Sequence, residues 1–254
     1  MSTVAEEMIL TVRGLGVSFG ALKAVQDLSF DAKKGHVTAI IGPNGAGKST
    51  AFNLISGAIA PKSGQVKFEG QTVTGFSPDQ MLAAGLSRSF QITNLFFDLS
   101  VFENLRLAGQ YLERGKGWWS PVRKSTLALA RADELLTQFG LTHKAQELAG
   151  HLSHGQQRRL EIAVALASKP RMLLLDEPTQ GMSHADTQET ADLIGQLARE
   201  FGLSVLLVEH DVDLVMRVSD HVVVMAQGMK IADGTPEQVR ASPNVQTAYF
   251  GDKH

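Results

Sequence analysis

The stretch Gly42-Pro43-Asn44-Gly45-Ala46-Gly47-Lys48-Ser49-Thr50 constrains this chain more than any other. It fits the spacing G-x-x-x-x-G-K-[ST], a loop that wraps phosphate groups. The apolar run 37–41 before it predicts a buried strand, and the run 51–55 after it predicts a helix. Strand, glycine loop and helix in that order give the pattern its meaning. Polyphosphate oxygens need several backbone N–H groups at once, so the loop must curl tightly around them. Gly42, Gly45 and Gly47 permit that curl and a close backbone approach. The helix that follows points its unpaired N–H groups and its dipole at the same anion. Lys48 is expected to reach the outer phosphates, and Asn44, Ala46 and Thr50 complete the cradle. The Ser49 hydroxyl is placed to take one position on Mg²⁺.

Composition narrows the setting. The 254 residues are 43% hydrophobic and 20% charged, with a formal net charge of −2. That is an ordinary globular composition without the basic excess of a nucleic-acid binder. No cysteine occurs, which excludes a disulfide framework and thiolate metal sites. Residues 1–8 carry Glu6 and Glu7 and no long apolar run, so no signal peptide is expected there. No segment has the length and apolarity needed to span a bilayer. The expected location is cytoplasmic, with any membrane attachment supplied by a partner.

Along the chain, residues 8–31 read as antiparallel strands turning at Gly20, and 64–70 as a further strand. A short helix is expected from Pro78. From 100 to about 168 the period is helical, with Ser100 and Glu103 spaced for a capping box and an amphipathic run from Leu127 to Phe139. A helix is also expected from Leu160 to Ser168. Strand and helix then alternate: a buried strand over 172–175, a helix over about 185–200, a strand over 204–208 and a helix from Val212. The runs 222–225 and 230–232 predict a hairpin turning at Gly228, and Thr235-Pro236-Glu237-Gln238 opens the last helix. The fold class is therefore α/β. A P-loop NTPase core carries a mainly parallel sheet, an antiparallel β subdomain lies near the N-terminus, and a helical subdomain is inserted. Residues 1–254 form one domain in this reading. Its core comes from about 1–90 and 170–254, and its helical part from about 91–169.

A second set of residues carries chemistry. The apolar strand over 172–175 ends in Asp176 and Glu177. An acid at the end of a neighbouring strand suits a Mg²⁺ site, and one residue further a carboxylate suits the attacking water. The same pair also fits a plain polar strand end. Ser153 and Gly155 precede the run to Ser168, where they serve either a second phosphate or an ordinary helix cap. His210 follows a strand and is either structural or a hydrogen-bonding partner for phosphate. Gln91 is either a loop glutamine or a γ-phosphate sensor. Phe19 either stacks on a base or belongs to the core.

Taken together, these residues resemble the ATP-binding subunit of ABC transporters. The phosphate loop, Gln91, the stretch Leu152–Gln156, Asp176-Glu177 and His210 fall in that family's order over nearly the whole chain. More narrowly, the chain resembles the larger of the two ATPases of branched-chain amino acid importers. That resemblance rests on Arg88-Ser89-Phe90-Gln91, Val101-Phe102-Glu103-Asn104-Leu105, the run 155–163, Val208-Glu209-His210-Asp211 and Ala248-Tyr249-Phe250-Gly251.

The resemblance implies ATP and Mg²⁺ as ligands. Phe19 and Val25 would contact the nucleotide, and Ser49, Gln91 and Asp176 would serve the metal. Lys48, Glu177 and His210 would be catalytic, with Glu177 the base. It further implies a head-to-tail dimer with a second ABC ATPase, either a copy or a homologue. Each ATP is then also met by Ser153, Gly155 and Gln156 of the other chain. Transmembrane permease subunits would dock beside residues 91–100, on the cytoplasmic face of the inner membrane. An extracytoplasmic solute-binding protein would act indirectly through the permease. Two departures stand out. His154 replaces the usual glycine or tyrosine, and Ser183-His184 replaces Asn-Pro or Asp-Pro. The loop Gly115–Pro121 holds Trp118 and Trp119 beside basic residues, which suits either a lipid or permease contact or a plain surface loop.

Competing readings are an ABC ATPase for lipid or lipopolysaccharide extraction, a GTPase-type switch and a P-loop kinase. No Asn-Lys-x-Asp box supports the switch, and a Glu177 placed for water speaks against the kinase.

Overall fold

A computed structural model describes residues 7–89, 95–113 and 125–250 of the chain. Strands β1 (Met8–Phe19) and β2 (Leu22–Lys33) form a long hairpin, and β3 (Val37–Ile41) leads into the glycine loop. Helix α1 (Lys48–Ile55) follows, then β4 (Ser63–Phe68), β5 (Gln71–Thr72), α2 (Pro78–Ala84) and β6 (Leu86–Arg88). The middle of the chain is helical, with α3 (Val101–Gly109), α4 (Thr126–Gln138) and α5 (His154–Leu166). Then come β7 (Met172–Asp176), α6 (His184–Phe201), β8 (Ser204–Val208) and α7 (Val212–Val218). The chain ends in β9 (His221–Ala226), β10 (Met229–Gly234), α8 (Pro236–Arg240) and α9 (Pro243–Phe250).

Two sheets result. The smaller is antiparallel in the order β2-β1-β4-β5, and the larger runs β10-β9-β3-β8-β7-β6. In the larger sheet only β10 pairs antiparallel; β9, β3, β8, β7 and β6 are parallel. Parallel strands covered on both faces read as unbroken apolar runs, and β3, β7 and β8 are buried at every residue.

Period-2 alternation divides these strands between two cores. Val37, Ala39 and Ile41 of β3 pack with the helical side, as do Leu173 and Leu175 of β7 and Val205 and Leu207 of β8. Ile40, Leu174, Leu206 and Val208 face α1 and the antiparallel sheet. Asp176 shares the parity of Met172 and Leu174, so it ends β7 on the α1 side.

The helix boundaries differ from the sequence reading in an instructive way. Helix α5 starts at His154 rather than Leu160, because Ser153 caps it. The Ser153 hydroxyl accepts from the N–H of Gln156 at 3.3 Å, and the Gln156 side chain accepts from the N–H of Ser153 at 3.1 Å. Ser100 caps α3, but Glu103 turns to Arg106 instead of closing the box. Helix α6 begins one residue earlier than expected, capped by Ser183.

Candidate functional site

Helix α1 begins on Gly47, which has φ +94°; a Cβ there would stand 2.4 Å from the carbonyl oxygen of Ala24. Gly42 is equally confined, since a Cβ would lie 2.1 Å from the Met225 oxygen. The loop thus runs against the β1–β2 hairpin on one side and β9 on the other. The β9–β10 turn braces it, with the N–H of Gly228 donating to the Ala46 oxygen at 3.0 Å. These backbone contacts shape the cradle before any ligand arrives.

Lys48 is buried, and its ammonium donates to the carbonyls of Gly42 at 2.8 Å and Pro43 at 3.2 Å. Burial lowers its pKa, and the charges of Glu177 and Asp176 oppose that shift. Lys48 therefore spans its own loop and stands in the field of both carboxylates.

A cavity of about 580 Å³ opens over the loop. Asn44–Thr50 and Glu177 line it, with Leu22–Ala24 from the hairpin and Gln227-Gly228 from the β9–β10 turn. Asp176 lies behind this wall, 2% exposed. Burial raises its pKa, Arg88 and Arg158 hold it down, and Glu177 and Glu209 push it up. Arg88 Nη2 stands 3.5 Å from Asp176 Oδ2, while Asp176 Oδ1 has no hydrogen-bond partner among the described residues. A buried carboxylate oxygen left unfilled, in the field of the cradle's Lys48, is the donor chemistry that Mg²⁺ takes. Glu177 also borders a second, polar cavity of about 130 Å³ between α5 and the loop after β7, with Arg158 and His154 opposite.

The other described residues singled out by sequence lie outside the main cavity wall. Phe19 is half exposed at the β1–β2 turn. Val25 is 1% exposed and packs in the core, so its side chain does not line the cavity. Ser153, Gly155 and Gln156 start α5 on a separate surface, with Gly155 so close to Asp186 of α6 that a Cβ would meet its Oδ1 at 2.5 Å. The His210 ring is exposed, with its backbone tied to Glu209. Gln91 and the Trp118-Trp119 loop lie outside the described residues.

Sequence reasoning passed over three contributors. Arg88, the counter-ion of Asp176, is a cation at a strand end whose partner only the fold supplies. Gly228 braces the loop, although its sequence setting marks only a hairpin turn. Glu209 is fully buried; a carboxylate closing an apolar strand beside His210 was the available signal.

A glycine phosphate cradle on a parallel sheet, a carboxylate pair at the next strand but one, and an inserted helical block together define an ATP-binding cassette. The chain belongs to the ABC transporter family, whose model matches residues 25–180. A second model, the branched-chain amino acid ATP-binding cassette transporter, matches 229–254.

Among curated relatives, the high-affinity branched-chain amino acid transport ATP-binding protein BraF of Pseudomonas aeruginosa is 39% identical over 96% of this chain and 98% of its own. LivG of Escherichia coli K12, of the same description, is 38% identical over the same shares. The lipopolysaccharide export system ATP-binding protein LptB of Haemophilus influenzae is 33% identical. The ADP conformation of MJ1267, an ATP-binding cassette of an ABC transporter, superposes with a TM-score of 0.85 at 32% identity, covering 96% of this chain and 99% of that one. A dimeric structure of MJ0796, a bacterial ABC transporter cassette, gives 0.74 at 25%, covering 89% and 98%. The chain is thus an ABC ATPase. Among the described residues no helix is long and apolar enough to cross a membrane.

Proposed function

We propose that this chain is the ATP-hydrolysing subunit of an importer for branched-chain or related amino acids. It works on the cytoplasmic face of the inner membrane through permease partners, with an extracytoplasmic binding protein supplying the solute. The observation that carries the ATPase site is that Glu177 and the Asn44–Thr50 cradle line one cavity. The import reading rests on the likeness to BraF and LivG, which exceeds the likeness to LptB. The chain forms one domain in this reading, with its core from about 1–90 and 170–254 and its helical part from about 91–169.

The roles follow from chemistry. Backbone N–H groups of 44–50 and the α1 N-terminus hold the phosphates. The Lys48 ammonium leaves the Gly42 and Pro43 carbonyls for phosphate oxygens of opposite charge. Ser49, Gln91 and Asp176 would hold Mg²⁺, which neutralises charge developing on the β- and γ-phosphates. Glu177 orients the attacking water and accepts its proton. His210 donates to the γ-phosphate side. Phe19 contacts the base, while Val25 acts only as support from beneath. Ser153, Gly155 and Gln156 lie off the cavity of their own chain, which supports their use on the nucleotide of a second ATPase in a head-to-tail dimer. That partner is a copy or a homologue.

Purified wild type beside Glu177→Gln tests the reading. Expected is hydrolysis by the wild type only, with an ATP-dependent dimer in the variant. Wild-type turnover in Glu177→Gln, or monomers at saturating ATP, would overturn it.

A further inference from the structure

Glu209 is a carboxylate with no exposed surface, and the roles above leave it unused. It stands between Val208, the last residue of β8, and His210. Its Oε1 accepts from the N–H of Thr179 at 3.0 Å and from the Thr179 hydroxyl at 2.6 Å. Its Oε2 accepts from the N–H of His210 at 3.1 Å. A buried carboxylate is costly unless its oxygens are filled, and here both are.

The bonds matter because of what precedes Thr179. Glu177 has φ +44°, a left-handed conformation that a residue with a side chain keeps only where its surroundings hold it. On one side its N–H donates to the Val208 oxygen at 2.8 Å. On the other side comes Pro178, which has no N–H to donate. Thr179 is therefore the first residue after Glu177 whose backbone donor can fix the loop, and that donor is on Glu209. The loop 177–179 is thus tied at both ends to 208–210.

We propose that Glu209 is a positioning residue for ATP hydrolysis. It grips Thr179, holds the Glu177 backbone in its left-handed conformation, and so keeps the Glu177 carboxylate on the wall of the phosphate cavity. This rests on the reading of Glu177 as the group that handles water. The same carboxylate holds the His210 backbone, so His210 and the Glu177 loop move as one unit. The loop runs on to Ser183 and α6, whose Asp186 lies close against Gly155 at the start of α5.

Steady-state hydrolysis, binding of a fluorescent ATP analogue and thermal melting of the full chain test the proposal. Glu209→Gln keeps one acceptor and sets an amide N–H₂ against a backbone N–H. It should lower kcat about 10- to 100-fold, the scale of a small misplacement of a reacting group, with nucleotide affinity within about twofold of wild type. Thr179→Val should lower kcat in the same sense, and Thr179→Ser should restore it. A folded Glu209→Gln with wild-type kcat overturns the proposal. So does a fall in kcat matched by equal losses of affinity and melting temperature, since that marks support of the fold alone. Should Glu209→Gln not fold, Thr179→Val against Thr179→Ser carries the same test. Glu177→Gln is run alongside. If it abolishes hydrolysis while the Glu209 and Thr179 variants keep the wild-type kcat, only the positioning role fails. If it hydrolyses like wild type, the reading of Glu177 fails and this proposal with it.

Discussion

The guanidinium of Arg88, at the end of β6, reaches Asp176, at the end of β7, and α1 at the same time. It stands 3.5 Å from Asp176 Oδ2 and donates to Asn53 Oδ1 at 2.7 Å and Ser56 Oγ at 2.8 Å. Its plane also lies over the Phe52 ring, 4.7 Å from the centroid. One side chain therefore joins the carboxylate strand to the helix that carries the phosphate loop. Burial lowers the pKa of Arg88, and Asp176 opposes the shift.

Arg88→Met should leave Asp176 buried without its counter-ion. Breaking a well-formed buried pair costs roughly 3–5 kcal/mol, and the long 3.5 Å contact places this one nearer about 2 kcal/mol. Burial already raises the Asp176 pKa and Arg88 restrains it, so the variant raises it further. A raised carboxyl pKa gives stability that is present at acid pH and lost as pH rises through the folded value. The deficit of Arg88→Met should thus be larger at pH 7 than near pH 4. Urea midpoints at the two pH values decide it.

Gly47→Ala should abolish nucleotide binding and destabilise the protein by more than about 1 kcal/mol. The position combines φ +94° with a backbone oxygen 2.4 Å from the new Cβ, and neither can be relieved by a side-chain shift. Gly45→Ala meets no atom within 4 Å, so its cost is the backbone term alone. Denaturation curves of the two variants should fall in that order, and equal curves would count against the clash.

The departure at Ser183-His184 should prove mild for the fold. Ser183 caps α6 by accepting from the N–H of Asp186 at 3.3 Å, and its hydroxyl donates to Asp186 Oδ2 at 2.7 Å. Serine, asparagine and aspartate are near equals at this position, and proline is favoured one residue later. Ser183→Ala should cost about 1 kcal/mol, and Ser183→Asn almost nothing. His184→Pro should leave stability unchanged or raise it by about 0.5 kcal/mol. Thermal melts of the three variants check the order.

His221 should make stability fall on the acid side. Its Nε2 is buried without a hydrogen-bond partner among the described residues. Burial lowers its pKa, Lys33 and Lys230 add to the shift, and Asp233 and Asp31 oppose it. A lowered histidine pKa means that the unfolded chain binds the proton first. Stability is then fully present above the ordinary histidine value of about 6.5 and declines as pH falls from there through the folded value. The drop in urea midpoint between pH 7.5 and 5.5 should be smaller in His221→Gln than in wild type.

The sequence disclosed whatever depends on local pattern. The unbroken apolar runs of β3, β7 and β8 identify strands covered on both faces, and the glycine spacing places the loop. The caps at Ser100 and Thr235 were visible for the same reason, since a cap needs only three residues. Contacts made by the fold were not legible. Arg88 and Asp176 are far apart in sequence, and only the pairing of β6 with β7 joins them. Glu209 and Thr179 meet through the pairing of β7 with β8. The apolar pattern places the start of α5 six residues late, because residues 154–159 carry no large apolar side chain to show its period; the Ser153–Gln156 box begins the helix there.

The division of the parallel strands between two cores has a consequence for how such a protein changes over time. Odd positions of β7 and β8 face the helical block, and even positions face the nucleotide side. A methyl group gained or lost at Leu173 or Val205 is felt among the helices, and one at Leu174 or Leu206 is felt beneath the phosphate loop. Packing can therefore change on the helical side of the sheet while the side beneath the phosphate loop keeps its own.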